Sequence, residues 1–519
     1  MRALLIHTLT FSIICTLLPV LGCGSNRKAH VSVDIDRKNK TASPSTDQSA
    51  QGNPSRTQNR EREGPLEEDA AIKAMYTLSH GTPAEARDAV DLVLDASDRR
   101  FISVFIELLR AGQIGIVRGA GYGPNLAALE TLSGADFGDD WPSWIEWYGA
   151  SDLVPPPGFT GWKGRLLGRI DPGFRAFLRD DVTATIRVEE IMWGGVAVDG
   201  IPALDNPAMI PAVEAEYLEP GEPVFGVSLN SDNRAYPLRI LDWHEMANDV
   251  IGGIPVSLAY CTLCGAAILY GGRAPDGAAY TFGSSGLLYR SNKLMYDRQT
   301  RTLWNQLTGR PVLGTLAGSD LELKILTVVL TTWEQWLDRH PDTMVLSLDT
   351  GHLRTYVPGS AYGHYFSTDG TMFPVWLQSG LLPDKSRIYA LRVEGIPKAY
   401  PIDRLLSEVV INDTIGSTSI VLVAYGDEVE VEGTSRRAGA VRYSSGAEIR
   451  VYRRDGVSFR PGPDSNSLLD DRGGEWQITE DALIGPDGLR MDRIGGHLAY
   501  WFGWYSFFPD TLVYGETGP

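Results

Sequence analysis

The chain has 519 residues, of which 43 % are hydrophobic and 22 % charged, and its formal charge is −18. That length is too great for one core, and the composition is that of a globular protein rather than a low-complexity one. A negative chain with no basic stripe outside short polar segments excludes nucleic acid as the expected partner, because phosphate recognition needs clustered cations.

The first residues, MRALLIHTLTFSIICTLLPVLGCGSN, hold one Arg, an apolar stretch and a small residue before Cys23. This order reads as a secretory signal over residues 1–22. Its Val-Leu-Gly-Cys ending resembles a bacterial lipobox, which implies cleavage before Cys23 and acylation of its thiol. The apolar run is short for a spanning helix. The expectation is a lipoprotein of the cell envelope, held to a membrane by its lipid on the periplasmic or extracellular face. Residues 23–64 are rich in Ser, Thr, Asn, Gln, Lys and Arg and nearly lack large apolar residues. Such a stretch cannot offset its chain entropy by burial and reads as a disordered tether.

Residues 65–182 carry helical periodicity. Ala86, Ala89, Val90, Val93 and Leu94 form one stripe, and Phe101, Val104, Phe105, Leu108 and Leu109 form the next, with Gly112 as a stop. The segment AALETLSGADFGDDWPSWIEWY resembles the end of HEAT-like helical units; a helical cap on the following domain fits it equally.

From residue 183 onward the texture is β-rich, with Gly/Pro turns. An internal repeat organises it. AYPLRILDWHEMANDVIG (235–252) matches AYPIDRLLSEVVINDTIG (399–416) without a gap. LMYDRQTRTLW (294) parallels LLDDRGGEWQI (468), and TWEQWLDRHPDT (332) parallels YWFGWYSFFPDT (500). The expected fold class is α+β: a helical segment, then two tandem copies of one α+β unit at about 220–350 and 385–515. In each copy a Pro (Pro237, Pro401) opens a helix that runs toward Asn-Asp. Ile240, Leu241 and His244 share the inward face of the first. Glu408 stands where His244 stands, and Tyr425-Gly-Asp where Cys261-Thr-Leu-Cys264 stands. One copy is thus expected to carry a site that the other supports.

The segments AYPLRILDWHEMANDVIGGIPVSLAYCTLCGAAILY, FGSSGLLYRSNKLMYDRQTRTLWNQLTG and TTWEQWLDRHPDTMVLS closely resemble the DUF3179 family, a bacterial and archaeal domain of unknown function. The resemblance runs from about residue 185 to the end. It implies an exported protein with a Tyr-Cys-x-Leu-Cys-Gly segment, and it assigns no reaction. Thr262 departs from the family's usual Pro between the cysteines, which removes a rigidifying ring and leaves the thiols in place.

Three readings fit Cys261 and Cys264. As a metal knuckle, both thiolates would hold a transition metal (Cu, Zn or Fe), completed by His244 or by Glu245, Met295, His340, His352 or His364. As a redox dithiol, Cys261 would be the more exposed, attacking sulfur and Cys264 the resolving one. As a disulfide, the pair would close a loop too small to stabilise the fold by entropy. That last reading leaves an envelope scaffold whose lobes recognise a protein or glycan. Tyr289, Arg290, Asn292, Asp297 and Trp304 are candidates to line an adjoining pocket, with Asp297 and Arg298 expected to form a structural ion pair.

Overall fold

A computed structural model of the chain describes residues 64–117, 121–274 and 277–516. The segment expected to be a signal peptide, the expected lipidation site Cys23 and the segment expected to be a tether, as far as residue 63, lie outside the described residues. Among those described, no helix is long and apolar enough to cross a membrane. The architecture is α+β: helices come first, and the strands that follow form several sheets.

Seven helices open the described chain: α1 (Glu68–His80), α2 (Pro83–Asp95), α3 (Ile102–Gln113), α4 (Tyr122–Ser133), α5 (Trp141–Gly149), α6 (Phe159–Leu167) and α7 (Phe174–Phe177). Local chemistry fixes where they begin. Thr82 caps α2 by accepting from the Glu85 N–H, while Glu85 accepts from the Thr82 N–H, and Pro83 occupies the first turn. Asp140 caps α5 by accepting from the Ser143 N–H. Gly112 does not stop α3, which continues to Gln113. The apolar stripes of these helices share one core with a six-stranded sheet: Phe105, Trp144 and Trp162 bury with Leu287, Leu294, Leu303 and Leu313. At this junction the buried Lys163 reaches Glu107 Oε1 at 2.6 Å and the carbonyls of Val188 and Glu189.

The β-rich part begins its site-bearing half with the hairpin Pro223–Leu229/Asp232–Pro237, then α8 (Leu238–His244), then three antiparallel strands, Met246–Ile251, Ile254–Cys261 and Ala266–Gly271. The expected helix is cut a turn short. Glu245 adopts φ 54°, a left-handed conformation that ends α8, and Asn248 and Asp249 lie in a strand. Tertiary bonds hold them there. Asn248 bonds Asp205, Ser257 and both backbone groups of Phe282; Asp249 accepts from Tyr236 at 2.5 Å and Arg234 at 2.7 Å.

After α9 (Trp333–Arg339) and the short α10 (Gly363–Phe366), the order hairpin, helix, three strands returns. The hairpin is Arg387–Val393/Ile396–Pro401, the helix α11 (Ile402–Glu408), and the strands Val410–Ile415, Thr418–Ser435 and Gly439–Arg453. Here Asn412 bonds both backbone groups of Phe459, and Asp413 accepts from Tyr400 and Lys398. Trp336 Nε1 donates to Thr343, and in α12 (Trp501–Tyr505) Trp504 Nε1 donates to Thr511. The two regions differ in sheet composition, and the second carries a long two-stranded arm spanning 426–447 where the first has only a tight turn.

Candidate functional site

The dithiol sits at that tight turn. Strand Ile254–Cys261 delivers Cys261, residues 262–265 reverse the chain, and Ala266 pairs back against Cys261. Gly265 closes the turn at φ 58°, its N–H donating to the Thr262 carbonyl. The left-handed φ favours glycine, and a Cβ there would lie 3.1 Å from Arg387 Nη1 and 3.2 Å from the Tyr500 ring, pressing on both. The segment after Cys264 is a strand, so no helix N-terminus acts on either thiol.

Both cysteines are free, 1 % and 0 % exposed, and near disulfide distance. The expectation that Cys261 is an exposed attacking sulfur is therefore corrected: both strands around it are covered. The Cys264 thiol donates to the Ser291 carbonyl at 3.5 Å and accepts from Asn292 Nδ2 at 3.6 Å. Burial raises the Cys261 pKa, but the neighbouring Cys264 thiol and the backbone N–H groups of Lys293 and Cys264 outweigh it, and the thiol falls below its ordinary range. Burial and the neighbouring Cys261 push Cys264 well above it.

A buried polar shell surrounds the pair. Glu245, at the end of α8, accepts from Thr262 Oγ1 at 2.8 Å and faces the Lys293 ammonium at 3.3 Å. That ammonium also donates to the Glu245 carbonyl at 2.9 Å. Asn292 donates to Gln306 Oε1, and Gln306 Nε2 ties the carbonyls of Ala259 and Ala266, the two strands flanking the turn. From the far half, the Tyr500 N–H donates to the Cys264 carbonyl at 2.7 Å and Arg387 donates to Tyr500 Oη. From the connecting segment, Tyr365 Oη donates to the Leu263 carbonyl. Beside these, burial, with Glu245 nearby, holds the Asp242 carboxyl well above the usual carboxylate range.

Among the residues expected at the site, the structure brings only some together. Asn292 reaches Cys264. His244 is fully buried, but its ring nitrogens meet the Pro202 carbonyl at 2.8 Å and Tyr356 Oη at 2.6 Å, and its ring packs against His352. Tyr289 packs on Phe507, with burial pushing its hydroxyl up to about 12. Arg290 pairs with Glu190 and the Ser506 carbonyl. Asp297 accepts from Thr300 and from Trp304 Nε1. Arg298 pairs with Asp205 rather than Asp297, because the Asp297 carboxylate is occupied by its own turn. His340 packs on Trp336 near Glu480, His364 is exposed, and Met295 is buried opposite Trp304. Among the described residues no group of three His, Cys, Asp or Glu side chains stands ready to hold a metal ion. The residues that sequence reasoning missed are Lys293, Thr262, Asp242, Arg387 and Tyr500. The tight-turn glycine and the Pro-led helix end were the only local signals pointing to them.

No curated protein matches the chain, and no solved structure matches it. The model of the family described as "Protein of unknown function (DUF3179)" matches residues 198–511, which contain the dithiol, its shell and both β regions. The chain belongs to the DUF3179 family.

Proposed function

We propose that Cys261 and Cys264 form a buried thiol–disulfide couple that exchanges with a small disulfide. The observation that carries this reading is two free, buried sulfurs near disulfide distance, with Asn292 Nδ2 donating to Cys264 Sγ at 3.6 Å. A donor of this kind favours thiolate, the reactive form. The Cys261 thiolate attacks one sulfur of a small disulfide RSSR and expels RS⁻, which takes up a proton. The Cys264 sulfur, after losing its proton, attacks Cys261 and expels the second RS⁻. The sum is dithiol plus RSSR giving protein disulfide plus two RSH. Burial of both sulfurs favours a small acceptor over direct docking of a protein disulfide.

A second reading has its own support. N–H groups converging on two thiolates also suit a soft metal, and Cu(I) accepts two sulfurs alone. Thiol trapping after exposure to a small disulfide, paired with metal analysis of protein prepared under reduction, separates the two. Loss of both thiols together, abolished in Cys261→Ser, supports exchange. A stoichiometric metal lost in Cys261→Ser, with no thiol loss, overturns it.

We also infer that residues of about 220–350 and 385–515 are tandem copies of one unit. The matched bonds support this: Tyr236–Asp249 with Tyr400–Asp413, Asn248–Phe282 with Asn412–Phe459, Trp336–Thr343 with Trp504–Thr511. Trp304–Asp297 corresponds to Trp476–Asp470, with the Asp one position and the Trp two positions from the alignment read in sequence. Acylation of Cys23 and a tether to an envelope membrane rest on the leader sequence, and labelling with a fatty acid in a Cys23→Ala comparison tests them. An envelope protein or glycan as partner follows from that location.

A further inference from the structure

A cleft of about 560 Å³ opens where the two β regions meet, a size usual for a small-molecule site. The first region lines it with Arg310, Glu322 and Lys324, the second with Arg392, His497 and Trp504. Glu322 is the one carboxylate on its wall. Arg310 Nε donates to Glu322 Oε2 at 2.8 Å, and Arg392 Nη2 donates to Oε1 at 2.7 Å. Three cations thus face a single carboxylate, and the exposed Lys324 is left without one there. In a chain of formal charge −18 this wall carries a surplus of positive charge. Arg392 spends on Glu322 one donor of the guanidinium's five. His497 adds an acceptor. It is 4 % exposed, and its Nδ1 meets the Leu498 carbonyl at 3.0 Å. A carbonyl only accepts, so the ring proton sits on Nδ1 and Nε2 presents a lone pair. Among the described residues nothing bonds Nε2, and that atom is not sealed from solvent; it opens on the cleft that the ring lines. Burial keeps the imidazole neutral, lowering its pKa to about 4.

We propose that this cleft binds a small oxyanion that also carries a hydroxyl, its charged oxygens meeting Lys324, Arg392 and Arg310 and its O–H donating to His497 Nε2. The surplus of cations selects an anion, and guanidinium and ammonium donors suit the oxygens of a carboxylate or a phosphate. A neutral imidazole whose free nitrogen accepts has nothing to offer a bare anionic oxygen, so a hydroxyl has to accompany the charge. Hydroxy acids and the phosphate esters of polyols share that chemistry. The adjoining cleft on the other side of Arg392 sets Arg392 and Arg453 against Glu394 and Asp455, so charge selects no ligand there. The binding does not depend on the exchange reading.

The test is calorimetric titration of glycerate, and separately of glycerol phosphate, into the full chain near neutral pH, with glycerol as the uncharged comparison and Lys324→Gln and His497→Phe alongside. Lys324 is exposed and its charge is unpaired on the cleft wall, so Lys324→Gln keeps the wild-type melting temperature and decides the matter even where His497→Phe fails to fold. Saturable one-to-one binding of at least one anion, weakened about fivefold or more by Lys324→Gln and about tenfold by His497→Phe, with none of glycerol, is the expected result. Glycerate alone identifies a carboxylate ligand, and glycerol phosphate alone a phosphate ester. No saturable binding of either anion, glycerol bound as tightly as they are, or wild-type affinity in either folded variant overturns it.

Discussion

Gly503 shows how closely the dithiol is covered: a methyl group there would lie 2.9 Å from Cys264 Sγ and 3.0 Å from its Cβ. Overpacking of this kind costs about 1–3 kcal/mol, so Gly503→Ala is expected to unfold at lower denaturant concentration, and denaturation curves check it. The buried imidazoles set a pH dependence. Burial lowers both His244, beside His352 and Arg354, and His497, beside Arg392, to about 4. The unfolded chain takes up a proton at each imidazole as pH falls through about 6.5, and the folded chain does so only near 4. Stability is therefore complete above about 6.5 and falls as pH drops toward 4, by roughly 1–3 kcal/mol for each residue. His244→Gln and His497→Gln should flatten that slope in urea titrations between these limits. The cysteine pair itself is legible in sequence because its spacing is local. Lys293 and Arg387 are not, since they stand 29 and 123 positions from Cys264 and only the fold brings them to it.

At the scale of elements, α8 is where local pattern and structure part. Its opening at Pro237 and its buried face follow from sequence; its end does not, because Glu245 is no glycine and still adopts a positive φ. The reason lies in the next strand. Asn248 spends its amide on Asp205, Ser257 and Phe282, residues from three other elements, and this extended register is incompatible with another helical turn. Asn248→Ala leaves the Phe282 backbone groups buried without partners, and a loss of about 2–4 kcal/mol is expected in equilibrium unfolding. The same residue type at Asn412 serves Phe459, which is why the Asn-Asp pair was readable as a repeat while its role was not.

At the scale of the molecule, the helices and the six-stranded sheet have a common core, so the boundary near residue 183 read from sequence texture is not a seam in the packing. A chain beginning at 183 exposes Leu287, Leu294, Leu303 and Leu313 and is expected to aggregate, which size-exclusion chromatography reports. The site draws on both β regions: the first supplies the sulfurs, and the second supplies Arg387 and Tyr500 against their turn. The sequence expectation put the cysteines in one region; the residues of the other that contact their turn depend on a tertiary arrangement that no local period encodes. The most direct test of the central claim is equilibration of the full chain in thiol–disulfide buffers of graded potential, with thiols counted at each step. The account predicts that Cys261 and Cys264 oxidise together and reversibly, with a two-electron slope of about 30 mV per tenfold change in ratio. Two thiols that stay reduced at every potential, or one that oxidises without the other, would contradict it.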